Sequence, residues 1–319
     1  MPARRDAPSL LAQLRQAERS GGDGALRFQD GRTLPVTHLD RPVWRDLGIT
    51  KGDLLAHYLE LADVVVPAIA GRALVLTRHP AGVGGPAFHQ HDPGEDAPDA
   101  VDVATLPTAD GTPARRLIGS LGSLLHAVQL GAVGVDAWHS RVDAPDVPDY
   151  AVLDLDPSPD APRSALGRLA VLMREQLALR GYDAVLKTSG SRGLHLMVPL
   201  DPGTSYDGAA ALAQEVATAV ADAHPTLATV ERAIDDRPPR TVYLDHLQNA
   251  RGKTLAAAFC ARAKADAAIS APLAWDALSS TAPPERIPIT AVRRRLRVIE
   301  RVWQAAWTHA APDGAWRPR

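Results

Sequence analysis

The sequence predicts an α+β fold, a mixed α/β arrangement in which strands and helices alternate without a regular βαβ repeat. Apolar strand-like runs at 150–156 and 241–246 each carry an aspartate near the end, and segments with apolar residues on a 3.6-residue period lie between them. The 319-residue chain is 45% hydrophobic, enough for one large domain or two of ordinary size.

Residues 1–36 carry a short helical pattern (Leu10, Leu11, Leu14) and a break at Gly21, Gly22 and Gly24, as expected of an extension packed on the main body. Thr50 with Asp53 three residues later forms a capping-box pattern. The helix it opens has the stripe Leu54, Leu55, Tyr58, Leu61, Ala62 and Val65, and Pro67 marks its end. A strand at 73–77, an irregular stretch from 80 to 113 and a helix near 117–130 follow. The strand at 150–156 is stopped by Pro157 and Pro159, and the helix at 164–179 is closed by Gly181. Strands at 184–187 and 194–199 flank a turn at 189–193. A helix near 206–223 and the strand at 241–246 complete the centre. Residues 290–309 read as a long helix bearing Arg293, Arg294, Arg295, Arg297 and Arg301.

Net charge is 35 − 37 = −2, which counts against a surface coated with cations yet leaves room for a local basic groove. The single cysteine, Cys260, excludes an internal disulfide framework and a multi-cysteine zinc site, and is expected to be a small buried side chain. No apolar run approaches membrane-spanning length and the N-terminus lacks a signal-peptide core, so a cytoplasmic protein without a membrane partner is expected.

Asp154 and Asp156 lie two apart on a strand, so their carboxylates share a face. Such a pair repels unless a cation lies between its members, and oxygen-only ligands suit Mg²⁺ or Mn²⁺. A solvated strand end is the competing reading. Asp245, closing a second apolar strand, could complete a two-metal site for in-line displacement at phosphorus. In the segment from Lys187 to His195, Gly190 and Gly193 would let backbone N–H groups face an anion, with Ser189, Arg192 and His195 as further donors. A plain hairpin is the alternative there.

Three segments together resemble a known family: Asp154-Leu155-Asp156-Pro157, Lys187-Thr188-Ser189-Gly190-Ser191-Arg192-Gly193-Leu194-His195 and Leu244-Asp245-His246-Leu247-Gln248-Asn249. Their order and spacing are similar to the polymerase domain of bacterial ligase D, within the archaeo-eukaryotic primase superfamily. Thr37-His38-Leu39-Asp40-Arg41, Arg78-His79-Pro80-Ala81-Gly82 and Ser270-Ala271-Pro272-Leu273-Ala274-Trp275 add to the match. The resemblance implies two packed β-sheets with flanking helices, with residues 37–278 as the catalytic domain. Residues 1–36 would be the N-terminal extension, and 279–319 an arginine-rich helical extension.

It also implies a template-directed nucleotidyltransferase that adds ribo- or deoxyribonucleotides to a primer 3′-hydroxyl at DNA gaps or breaks. Such an enzyme serves gap filling or non-homologous end joining, with DNA ligase or end-binding repair proteins as partners and a nucleoid-associated location. By the same resemblance two Mn²⁺ or Mg²⁺ ions are held by Asp154, Asp156 and Asp245. Ser189, Arg192, His195, Gln248 and Arg262 face the nucleotide. Arg41 and Lys51 take a 5′-phosphate, the latter helped by free N–H groups of its helix start. Phe88 and His89 stack on the template.

The sequence departs from the family pattern at several cations. Thr77 stands for a lysine, His91 for a basic residue, and Asp136 for a histidine that His139 could replace; Arg237 or Arg240 would supply the cation before the third motif. No K-x-D-G adenylation motif or phosphoesterase signature occurs, which points to a stand-alone polymerase. Two other readings remain open: a DNA-end-binding module with weak or lost catalysis, and a different Mg²⁺-dependent phosphotransferase such as a phosphatase.

Overall fold

The structure, a computed structural model, describes residues 2–108, 111–162, 164–278 and 284–311. Residues 279–283 and 312–319 of the expected C-terminal extension, and Met1, lie outside the described residues. The chain divides into two compact units, Met1–Trp138 with Thr254–Ala268 and Pro288–Arg293, and His139–Lys253 with Ile269–Ile287 and Arg294–Arg319. Among the described residues, several sheets and seven α-helices make it α+β, as the sequence predicts. Among the described residues no helix is long and apolar enough to cross a membrane.

The first unit is built on an antiparallel sheet in the order Thr254–Ala256, Ala132–Trp138, Ala73–Arg78, Pro113–Ile118, Val103–Pro107, with Phe88–Gln90 also paired to Ala73–Arg78. Helix Lys51–Glu60 begins at the expected capping box: Asp53 N–H donates to Thr50 Oγ1 (3.2 Å) and Thr50 N–H to Asp53 Oδ2 (3.0 Å). Tyr58 ties this helix to the unit's sheet, its hydroxyl donating to Val133 O (2.8 Å) and accepting from Ala261 N–H (3.0 Å).

The boundaries differ from expectation in four places. The first helix stops at Glu60 and a second, Ala62–Ile69, contains Pro67; the apolar stripe runs through both, so periodicity hides the break at Leu61. Leu117 and Ile118 end a strand paired to Leu74 and Ala73, and the helix starts after Ser120, which caps Ser123 N–H at 3.2 Å. The stretch expected to be irregular holds strands Phe88–Gln90 and Val103–Pro107, short and mostly exposed, so without a strong apolar signal. Residues 1–36 form an 18-residue helix, Pro2–Arg19, and a hairpin of Gly24–Arg27 with Thr33–Val36.

The second unit is built on a five-stranded sheet in the order Val185–Thr188, Leu194–Pro199, Tyr150–Pro157, Val242–Asp245, Ala228–Thr229, antiparallel except for the last pair. Alternation sorts its side chains. Ala151, Leu153, Leu155, Leu186, Leu194, Leu196 and Leu244 belong to one apolar core with Leu166, Leu169, Met173 and Leu177 of helix Ala165–Ala178 and Val216 and Val220 of helix Tyr206–Ala223. The opposite face receives the polar residues. Helix Ile289–Ala310 turns Trp303 and Trp307 inward, and Trp307 meets the Tyr150 ring edge-on at 6.2 Å.

Candidate functional site

Sheet register assembles the polar face. Lys187 lies opposite His195, His195 opposite Asp154, and Asp154 opposite Asp245, so four polar side chains form one row across four strands. Directly opposed residues on neighbouring strands share a face with Cβ atoms about 5 Å apart. Asp156, one pleat further along, stands opposite Tyr243. The three acids predicted from the sequence therefore share a face, contributed by two adjacent strands.

Asp245 is oriented by its own turn: Oδ1 accepts from Leu247 N–H (2.8 Å) and Oδ2 from Gln248 Nε2 (2.9 Å). Gln248 is thus beside the acids, as expected. Burial, then the charge of Asp245, pushes the Tyr243 phenol up to about 12. Arg237 lies 3.8 Å over the ring of Tyr243, the strand partner of Asp156. The donor set of three carboxylates fits a hard divalent cation. Among the described residues no three His, Cys, Asp or Glu side chains are gathered closely enough to hold a metal ion. The acids share a face rather than a point.

The turn after Lys187 departs from expectation. Ser189 Oγ accepts from Ser191 N–H and Gly193 N–H, both at 3.1 Å, so these two N–H groups close the turn and do not face an anion. Gly190 takes φ 70, a conformation that favours glycine. Gly193 is required for a different reason: a Cβ there would run into the Leu155 carbonyl oxygen, between the two aspartates. Arg192 is exposed and lines a cavity of about 260 Å³ with Pro157, Thr188, Ser191 and Arg286. His195 is buried, its Nε2 3.5 Å from Asp154 Oδ1.

In the first unit, Arg41 and Lys51 come together. Lys51 N–H donates to Arg41 O (2.8 Å), and both residues line a small cavity with His79 and Gln129. Burial, then the nearby Arg41 charge, pushes the Lys51 ammonium's pKa down. Two cations held this close suit an anion. The helix start itself is not free to assist: Gly52 N–H donates to Leu39 O (2.8 Å) and Asp53 N–H to Thr50, so the backbone donors expected there are already engaged. Phe88 is 47% exposed, with the Arg78 guanidinium 5.1 Å from its ring centroid, and His89 Nδ1 is 3.2 Å from Thr77 Oγ1.

Arg262 pairs with Asp136 at 2.8 Å, so the acid standing where the family has histidine engages one of the expected phosphate cations. His139 is fully buried against the Tyr150 ring, 5.3 Å away. In the C-terminal helix, Arg293 pairs with Glu60 (3.2 Å) and Arg295 with Glu285 (2.6 Å), whereas Arg294, Arg297 and Arg301 are exposed.

Sequence reasoning placed Asn249 in the third motif but assigned it no role. Its Oδ1 accepts from Val152 N–H (2.7 Å) and its Nδ2 donates to Val152 O (2.7 Å) and His246 O (2.9 Å). It thereby continues the ladder where the Val242–Asp245 strand has ended. A polar residue four positions after a strand-terminal aspartate was the available signal, and it fits many other roles.

A family model described as LigD, primase-polymerase domain, matches residues 50–303. The multifunctional non-homologous end joining DNA repair protein LigD of Mycobacterium tuberculosis is 32% identical over 78% of this chain and 34% of its own length. The corresponding Pseudomonas aeruginosa protein is 29% identical over 86% of this chain and 32% of its length. The chain thus spans about a third of the length of these relatives. Among solved structures, the polymerase domain from Mycobacterium tuberculosis ligase D in complex with DNA superposes with a TM-score of 0.78 at 29% identity, covering 86% of this chain and 98% of that one.

Proposed function

Since the chain belongs to the LigD primase-polymerase domain family, we propose that it is a template-directed nucleotidyltransferase acting at gaps or breaks in DNA. The observation that carries this reading is the single face shared by Asp154, Asp156 and Asp245. On this reading Asp154, Asp156 and Asp245 would hold two divalent ions, Mn²⁺ or Mg²⁺, whose chemistry would be to neutralise triphosphate charge and lower the pKa of the primer 3′-hydroxyl.

The other side chains bind and orient. Gln248 holds Asp245 in place. Arg192 and His195 face the triphosphate, and Arg262, paired with Asp136 in the first unit, is a further phosphate cation once that bond is exchanged. Ser189 acts by shaping the turn that presents Arg192. Arg41 and Lys51 bind the 5′-phosphate at the far side of a gap, and Phe88 and His89 stack on template bases. Ribo- or deoxyribonucleoside triphosphates and 5′-phosphorylated DNA are the substrates, and a DNA ligase or end-binding repair proteins the partners of the pathway. The relatives are non-homologous end joining proteins, which supports this placement.

The test is primer extension on a gapped duplex with a 5′-phosphate, with Mn²⁺ or Mg²⁺. Wild type is expected to extend, and Asp154→Ala to lose extension while retaining DNA binding. The Asp136–Arg262 pair favours a second reading, a DNA-end-binding module with weak catalysis. Gapped-DNA binding without extension by the wild type would establish that reading instead.

A further inference from the structure

The row of polar side chains contains one cation that none of these roles uses. Lys187 is 0% exposed, an expensive position for an ammonium unless its hydrogens find acceptors. Its Nζ lies 2.5 Å from His195 Nδ1 and donates to Ser270 Oγ at 2.8 Å. Ser270, also buried, donates its own hydrogen to Thr188 O at 2.8 Å, so its lone pairs are left to accept from Lys187.

Carried as an ammonium, which has three donors and no acceptor, Lys187 requires Nδ1 of His195 to be the accepting nitrogen. The ring hydrogen is then carried by Nε2, the atom 3.5 Å from Asp154 Oδ1. We infer that Lys187 is a positioning residue: held by Ser270, it fixes His195 in the tautomer whose Nε2–H points along the row toward the acidic face. The assignment rests on the polymerase reading only for what that hydrogen meets, a phosphate oxygen of the incoming nucleotide. Without Lys187 the Nδ1 nitrogen loses this donor and Asp154 alone of the two neighbours still favours the hydrogen on Nε2; a ring that turned a lone pair toward phosphate would repel it.

The test uses the full chain labelled with ¹⁵N-histidine, in long-range ¹H–¹⁵N spectra at neutral pH, with the His195 signals identified by their loss in His195→Ala. Wild type is expected to show a bare Nδ1 and a protonated Nε2. Lys187→Met is expected to shift this pattern toward the other tautomer and to lower extension about 10–100-fold, the range for residues that orient a functional histidine. Lys187→Met placed on His195→Ala should add no further loss. If Lys187→Met does not fold, Ser270→Ala, which loosens the lysine, should move the His195 signals in the same direction. A protonated Nδ1 in the wild type, or losses that add in the double variant, would overturn the inference. Because the spectrum needs no turnover, a wild type that fails to extend primers would count against the polymerase reading alone.

Discussion

Replacing Asn249 by alanine removes a clamp on the strand that carries Asp154. The Asn249 side chain makes three hydrogen bonds of 2.7–2.9 Å, two of them to the N–H and C=O of Val152, two residues before Asp154. Val152 is fully buried, and among the described residues no strand lies where Asn249 serves as partner. Each backbone group left unsatisfied costs roughly 1–3 kcal/mol, so Asn249→Ala should destabilise by about 2–5 kcal/mol. For a chain of 319 residues that lowers the melting temperature by roughly 3–8 °C. Asn249→Asp keeps an acceptor for Val152 N–H but sets an oxygen against the Val152 and His246 carbonyls, and should be at least as damaging. Thermal unfolding followed by circular dichroism measures both, and extension assayed well below the melting point reports the displacement of Asp154. A melting temperature within 1 °C of wild type for Asn249→Ala would refute the clamp.

Gly193→Ala forces a Cβ against the Leu155 carbonyl oxygen, and should cost about 1–3 kcal/mol and depress extension, because the strain falls between the two aspartates; unchanged unfolding and turnover would contradict the close packing. Burial lowers the His57 imidazole from its ordinary 6.5 to about 3. The unfolded chain therefore takes up this proton first, and the contribution present above pH 6.5 is lost as pH falls toward 3, on the order of 4 kcal/mol in all. His57→Leu should flatten the urea midpoint between pH 6.5 and 4 relative to wild type, and parallel curves would exclude the effect. Arg41→Ala and Lys51→Ala should each weaken binding to 5′-phosphorylated gaps, reduce the preference over 5′-hydroxyl gaps and lower the salt slope by about 1, as read by fluorescence anisotropy.

Much of the site was legible because strand periodicity is local. Asp154 and Asp156 had to share a face, Leu153 and Leu155 had to oppose them, and Thr50 and Asp53 formed their capping box as written. Where the sequence offered two local solutions, as at Leu117 and Ile118 or across Leu61, long-range pairing made the choice, and periodicity could not foresee it. The turn at 189–193 shows the same limit: its composition suits an anion cradle, yet the Ser189 hydroxyl takes two of the N–H groups.

By itself the sequence determined the mixed α/β class, the two-residue spacing that puts Asp154 and Asp156 on one face, and the motif order that the family shares. Only the tertiary structure decided that Asp245 stands directly across from Asp154, that Asn249 replaces a missing strand, and that Lys187 is buried against His195. Local chemistry fixes which way a side chain points from its own strand. Which strand lies beside it is set by burying leucines and valines dozens of residues apart in one core, and no single stretch of sequence records that.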